Sequence, residues 1–251
     1  MIRDQERLDR VNDDLLLLQK TNGLTYGTDA FLLYAYMKVK PSSVAVDLGA
    51  GTGIISLLSL NKNKYRSIHA VEVQEDFADL IVRNAELNHL ESRLTVHCAD
   101  IRDFSAKELA TEVEYVFSNP PYMKHNSGFL NGDLQKNIAR HEMKGGIYDF
   151  CQCAHRLLKF GGSFYVVYRP DRLVDLMDAL RASKLEPKRM TMVYNSVGHL
   201  PSLVLLEAKK GASSGMFVTR PLILTEKDGT STETCKNIYE NGVFETYYER
   251  P

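Results

Sequence analysis

Val46–Asp47–Leu48–Gly49–Ala50–Gly51–Thr52–Gly53 sets an apolar strand directly before three glycines at spacing two, and a helix-like stretch, Ile54–Ser59, follows at once. Strand, glycine turn and helix in that order form a nucleotide-type cradle. Glycines let the backbone turn tightly and approach a ligand closely, while the helix N-terminus offers N–H groups. A dinucleotide fingerprint needs its third glycine at position 54, where this chain has Ile54, so hydride chemistry is disfavoured. No Lys-Ser/Thr pair follows the glycines, which disfavours a phosphate-gripping P-loop as well.

Working outward, apolar runs bounded by turn residues predict strands at Val44–Leu48, Ile68–Val73, Leu94–Cys98, Val113–Ser118, Ser163–Tyr168, Arg189–Tyr194 and Leu203–Ala208. Helical periodicity falls between them at Ile54–Ser59, Glu75–Asn88, Tyr148–Lys159 and Asp171–Ser183, the last opened by Pro170–Asp171. The alternation predicts an α/β, doubly wound, mostly parallel sheet of seven strands. The last two strands are joined by Asn195–Ser202 without a helix, so they should pair as an antiparallel hairpin at the sheet edge. Three segments are expected: an N-terminal strand-and-helix lid over 1–40, the main domain over 41–210, and an appended polar tail over 211–251, strand-like at Phe217–Thr225.

The composition fits an ordinary globular enzyme: 251 residues, 44% hydrophobic and 25% charged. No apolar run approaches the roughly 20 residues that span a bilayer. Cys98, Cys151, Cys153 and Cys235 show no paired spacing, and no signal-like N-terminus precedes them, so a reducing cytoplasm is expected. Cys151 and Cys153 would point about 200° apart on a helix, which argues for packing rather than metal binding. With 31 basic and 32 acidic residues the chain is no polycation, yet a local basic face suffices for nucleic acid.

Two further sets of residues carry chemistry. Glu72 ends the second strand, where a carboxylate can accept both ribose hydroxyls of an adenosine lying over the glycine turn; Asp100, with Ile101 beside it, follows the third strand near the expected adenine. Asn119–Pro120–Pro121–Tyr122 follows the fourth strand. Its prolines fix the backbone, holding the Asn119 side chain and the Pro120 carbonyl as convergent acceptors for the two hydrogens of a planar amine, and Tyr122 adds a stacking face. A conjugated amine is a poor nucleophile, so acceptors that stabilise its developing positive charge promote its direct attack on an electrophile.

The ordered set of Asp47, the Gly49–Gly51–Gly53 turn, Glu72 and Asp100 resembles the class I S-adenosylmethionine-dependent methyltransferases. The tetrapeptide resembles that of enzymes acting on adenine N6, and equally that of enzymes acting on the glutamine amide of translation release factors. Wider features separate the two. Leu15–Gln19, Tyr26–Gly27–Thr28–Asp29–Ala30, the glycine turn, Asn119–Tyr122 and Tyr168–Leu173 together resemble the bacterial tRNA1(Val) (adenine(37)-N6)-methyltransferase family over about residues 8–210. Release-factor methyltransferases usually carry a separate helical N-terminal domain, whereas only 45 residues precede Val46.

The resemblance implies S-adenosyl-L-methionine as cofactor, held by Asp47, Gly49, Gly51, Gly53, Glu72, Asp100, Ile101 and Asn119, with Thr28 and Asp29 near its methionine end. It implies as substrate the tRNA adenine 3′ of the anticodon, a loop base that can be splayed into a pocket. Pro120–Met190 holds 12 Lys/Arg against 7 Asp/Glu, and Lys124, Arg140, Lys144 and Arg169 are the expected RNA contacts. Asn119, Pro120 and Tyr122 are the expected catalytic residues of a monomer that needs no metal and no membrane. The alternatives are a glutamine methyltransferase and a cofactor-binding module without catalysis.

Overall fold

The structure is a computed structural model that describes residues 2–21, 27–109, 112–122 and 146–244. Its centre is β3 (Val44–Leu48), an apolar run followed by the glycine turn and α2 (Ile54–Asn61). Parallel strands covered on both faces read as continuous apolar runs, and Ala45 through Leu48 are all buried. Beside β3 lie β4 (Ser67–Glu72) and then β5 (Leu94–Cys98) on one side, β6 (Val113–Ser118) and then β7 (Leu158–Tyr168) on the other, all parallel. The expected edge hairpin is present: β8 (Leu185–Ser196) and β9 (Pro201–Lys210) are antiparallel, with β9 against β7. Seven strands therefore run β8-β9-β7-β6-β3-β4-β5 across the sheet.

The 211–244 stretch of the tail adds to this edge. Phe217–Val218 (β10) and Leu222–Thr225 (β11) pair parallel with β8, making nine strands among the described residues.

Alternation along the strands feeds two buried layers. Ala45, Phe117, Tyr165, Val167 and Leu205 pack with α1 (Thr28–Tyr36), α2 and part of α3 (Glu75–Leu87). Val46, Val116, Phe164, Val166 and Leu206 pack with α5 (Ile147–Leu157) and α6 (Leu173–Ala182), beyond the short α4 (Ala106–Leu109). Several predicted bounds shift, and two of the shifts have a local cause. α5 ends at Leu157 and β7 begins at once, because Val113 on β6 pairs with Leu158 ahead of the glycines. Pro170–Arg172 is a 3₁₀ turn, and Asp171 caps no helix; its carboxylate accepts from Arg169 instead.

Near the N-terminus, β1 (Glu6–Asn12) and β2 (Leu15–Lys20) form a hairpin whose free edge would leave backbone groups unpaired. Asn84 on α3 and Asn88, which caps that helix, close that edge: each amide accepts from and donates to β2, Asn84 at Leu18 and Asn88 at Leu16. The C-terminal end of α1 is held by two buried cations. Lys64 Nζ donates to the Tyr34 and Met37 carbonyls, and Arg189 Nη2 to Tyr36, where the helix dipole favours positive charge. Behind α1 packs α7 (Glu233–Asn241), which buries Ile238 in the same layer.

Candidate active site

In an open parallel sheet, ligands bind outside the carboxyl ends of the strands where the strand order reverses. Here that point lies between β3, which runs on through the glycine turn toward β4 and β5, and β6, which begins the other half. The two decisive motifs of the sequence leave these two neighbouring strands, and Ser118 Oγ ties them by donating to the Leu48 carbonyl at 2.7 Å.

The turn is built by carbonyls and a carboxylate. Gly49 and Ala50 N–H both donate to the Val71 carbonyl at the end of β4, at 2.9 and 3.1 Å. Gly51 N–H donates to Glu72 Oε2 at 2.9 Å, while Glu72 Oε1 accepts from Gln74 N–H at 2.9 Å and from its side-chain amide at 3.2 Å. Gly51 has φ +57°, and a Cβ there would project into open space. That space borders a carboxylate, so the cradle is shaped for a ligand with polar hydrogens. Gly49 is needed for a second reason besides its φ of +69°: a Cβ there would lie 3.1 Å from the Phe150 ring.

Asp47, expected at the cofactor, is 1% exposed beneath the turn and accepts from Ser56 Oγ at 2.7 Å. Its place is under the cradle, where loss of water pushes its carboxyl up to about 7 against the Ser56 hydrogen bond, with the Glu72 charge adding to the rise. Asp100 is clamped by Arg102, whose backbone N–H and guanidinium both donate to it and hold the carboxyl below its usual range. Ile101 is buried behind it.

At the end of β6, Pro120 is buried and Asn119 and Tyr122 are half-buried. Asn119 Nδ2 donates to Asp29 Oδ2 at 2.8 Å, so the structure brings Asp29, in the first turn of α1, to the tetrapeptide. The Tyr122 hydroxyl lies 3.1 Å from the same Oδ2 and is also hydrogen-bonded to Asn119 Oδ1. Burial, then the Asp29 charge, pushes the Tyr122 phenol far above its ordinary value, which keeps its proton on as a donor. The Tyr122 ring meets Tyr168 edge-on, with centroids 5.6 Å apart. Thr28 is exposed, and its Oγ1 accepts from the Tyr239 hydroxyl of α7 at 3.0 Å.

Arg169 is exposed and bonded to Asp171. Lys124, Arg140 and Lys144 lie outside the described residues, as does Tyr26. Cys151 and Cys153 are both buried in the core.

Three contributors were not anticipated: Asn84, whose amide reaches the Thr52 carbonyl of the glycine turn at 3.3 Å, Tyr168, and Tyr239. Only Tyr168 carried a signal, since it ends a predicted strand on the ligand side of the sheet.

The methyltransferase small domain matches residues 21–182, a span that holds Thr28, the glycine turn, Glu72, Asp100 and the tetrapeptide. A Bacteroides fragilis protein named tRNA1(Val) (adenine(37)-N6)-methyltransferase is 30% identical over 180 residues, covering 72% of this chain and 75% of that one. The chain belongs to this methyltransferase family. A Dyadobacter fermentans protein of the same name is 25% identical over 205 residues, with 81% of this chain and 83% of that one covered. Among solved structures, one described as a predicted O-methyltransferase from Agrobacterium tumefaciens shares the fold at TM-score 0.69 and 21% identity, covering 86% of this chain and 98% of that one. The candidate site of this methyltransferase is the carboxyl edge of β3, β4 and β6. No helix among the described residues is long and apolar enough to cross a membrane.

Proposed function

We propose that this methyltransferase transfers a methyl group from S-adenosyl-L-methionine to the N6 amine of an adenine in tRNA, at the base 3′ of the anticodon. One observation carries the reading: Asn119–Tyr122 leaves β6 directly beside the glycine turn of β3, so an amine-gripping pair borders the glycine cradle. The names of the 30%- and 25%-identical relatives support adenine in tRNA over a glutamine amide.

When bound, the cofactor supplies an electrophilic methyl group on a sulfonium. Glu72 retains lone pairs that would take the cofactor's ribose hydroxyls, and Asp100 and Ile101 would hold its adenine. Asn119 Oδ1 and the Pro120 carbonyl take the two N–H groups of the target amine. As the nitrogen becomes cationic those acceptors bind it more strongly than they bind the flat ground state, which is what accelerates transfer. The Tyr122 ring covers the splayed base. Lys124, Arg140, Lys144 and Arg169 are the proposed phosphate contacts, residues 41–210 carry the glycine turn and the tetrapeptide while the N-terminal segment adds Thr28 and Asp29, and the enzyme works as a cytoplasmic monomer.

Radiolabelled methyl transfer into total tRNA, followed by nucleoside analysis, tests this. N6-methyladenosine is the expected product. Label in a release factor and none in RNA would replace the reading with the glutamine alternative.

A further inference from the structure

Asn119 has an amide, and an amide has two unlike ends. It can receive an N–H from a substrate amine only if its carbonyl end faces the pocket; turned over, it would present a donor to a donor. Asp29 decides the orientation. Its Oδ1 is anchored to α1 by the Ala30 N–H at 3.0 Å, and its Oδ2 accepts Asn119 Nδ2 at 2.8 Å. An ionised carboxylate only accepts hydrogen bonds, so it holds one of the two flips and rejects the other. Asn119 Oδ1 then carries two lone pairs, of which the Tyr122 hydroxyl occupies one and leaves one for an amine N–H.

We propose that Asp29 is a positioning residue for methyl transfer, fixing the Asn119 amide with its carbonyl toward the substrate amine. Both Asp29 oxygens are engaged within the chain, so this role replaces a place for Asp29 at the cofactor's methionine end, and it rests on the amine-methylating reading above. The geometry supports it on both sides: the Asp29 oxygen that holds Asn119 is also the one within reach of the Tyr122 hydroxyl, so one atom organises the amide and the aromatic ring together.

Four variants test it by single-turnover methylation and calorimetric cofactor titration. Asp29→Ala should slow transfer about 10- to 100-fold, the loss of one half-buried acceptor, and leave cofactor affinity within about threefold. Asp29→Asn has a single carbonyl, and with that held by the Ala30 N–H its amide meets Asn119 Nδ2 donor to donor, so it should be slowed at least as much as Asp29→Ala. Asn119→Asp alone sets two carboxylates face to face and should be nearly inactive at neutral pH. Asn119→Asp combined with Asp29→Asn reverses the donor and acceptor, and should be at least about tenfold faster than Asn119→Asp alone, a coupling that independent structural losses do not produce. A double variant no faster than Asn119→Asp, or Asp29→Ala that loses cofactor affinity but keeps its rate at saturation, would overturn the proposal.

A readout without substrate separates this from the functional reading. In ¹⁵N-resolved spectra the Asn119 side-chain amide protons should shift between wild type and Asp29→Ala. Unchanged resonances would refute the Asp29 contact even if wild type methylates tRNA, and a shift with no methylation of any RNA would refute the substrate while retaining the contact.

Discussion

Beneath the glycine turn, the Asp47 carboxyl is pushed up to about 7 chiefly by loss of water, from an ordinary 3.8. Between those values the folded chain holds a proton that the unfolded chain releases, so this group's stabilising contribution is complete at acid pH and is lost as pH rises toward and through 7. Asp47→Asn does not titrate. The stability of wild type relative to Asp47→Asn, measured by urea unfolding, should therefore fall between pH 5 and pH 8; a difference independent of pH would show that the buried carboxyl does not titrate there. The neighbouring Glu72 takes the Gly51 and Gln74 N–H groups. Glu72→Ala removes the proposed ribose acceptor and the brace of the turn together, and calorimetry should find S-adenosylmethionine bound about 10- to 100-fold more weakly.

At the scale of elements, α1 matters most, since it carries Thr28 and Asp29 to the site and is backed by the C-terminal helix. Phe31 stacks on Tyr239 with centroids 4.8 Å apart, Tyr36 meets Phe244 edge-on at 5.5 Å, and the Tyr239 hydroxyl bonds Thr28. Ile238 sits in this layer with no exposed surface. Ile238→Ala leaves a cavity against α1 and should cost about 2–5 kcal/mol in urea unfolding. Tyr239→Phe keeps the stacked ring and loses only the Thr28 bond, at about 0.5–1.5 kcal/mol. Equal losses for the two variants would mean that α7 is held by its hydroxyl rather than by its buried face.

Across the whole molecule, one buried ion pair joins the hairpin strands β8 and β9 to α1. Arg189 on β8 and Glu207 on β9 are 5% and 4% exposed and 3.3 Å apart, and the Arg189 guanidinium lies 3.8 Å over the Tyr36 ring while donating to its carbonyl. Glu207 also accepts from Ser163 Oγ on β7 at 3.1 Å. Arg189→Met strands a buried carboxylate and should destabilise by about 3–5 kcal/mol, whereas adding Glu207→Leu should recover much of that in the same unfolding assay. Failure of the second change to recover stability would assign Arg189's importance to the α1 carbonyl and the Tyr36 ring instead. Much of the surrounding architecture was legible in the sequence. The bounds of β3, β5 and β6 match the apolar runs Val44–Leu48, Leu94–Cys98 and Val113–Ser118 residue for residue, because a segment that must be apolar over its length and ends at turn residues marks its own limits. The glycine turn and the tetrapeptide were legible for the same reason, each being a contiguous string whose backbone demands are local. The family likewise followed from motifs in order along the chain. What tertiary structure alone decided are the pairings between distant segments: Asp29 with Asn119, ninety positions apart, Tyr239 with Thr28, the Asn84 and Asn88 amides closing the edge of β2, and the parallel addition of β10 and β11 to β8. Periodicity reports that a face is buried and says nothing of what covers it, and an Asp or Asn has the same local signature whether it faces water or a buried partner.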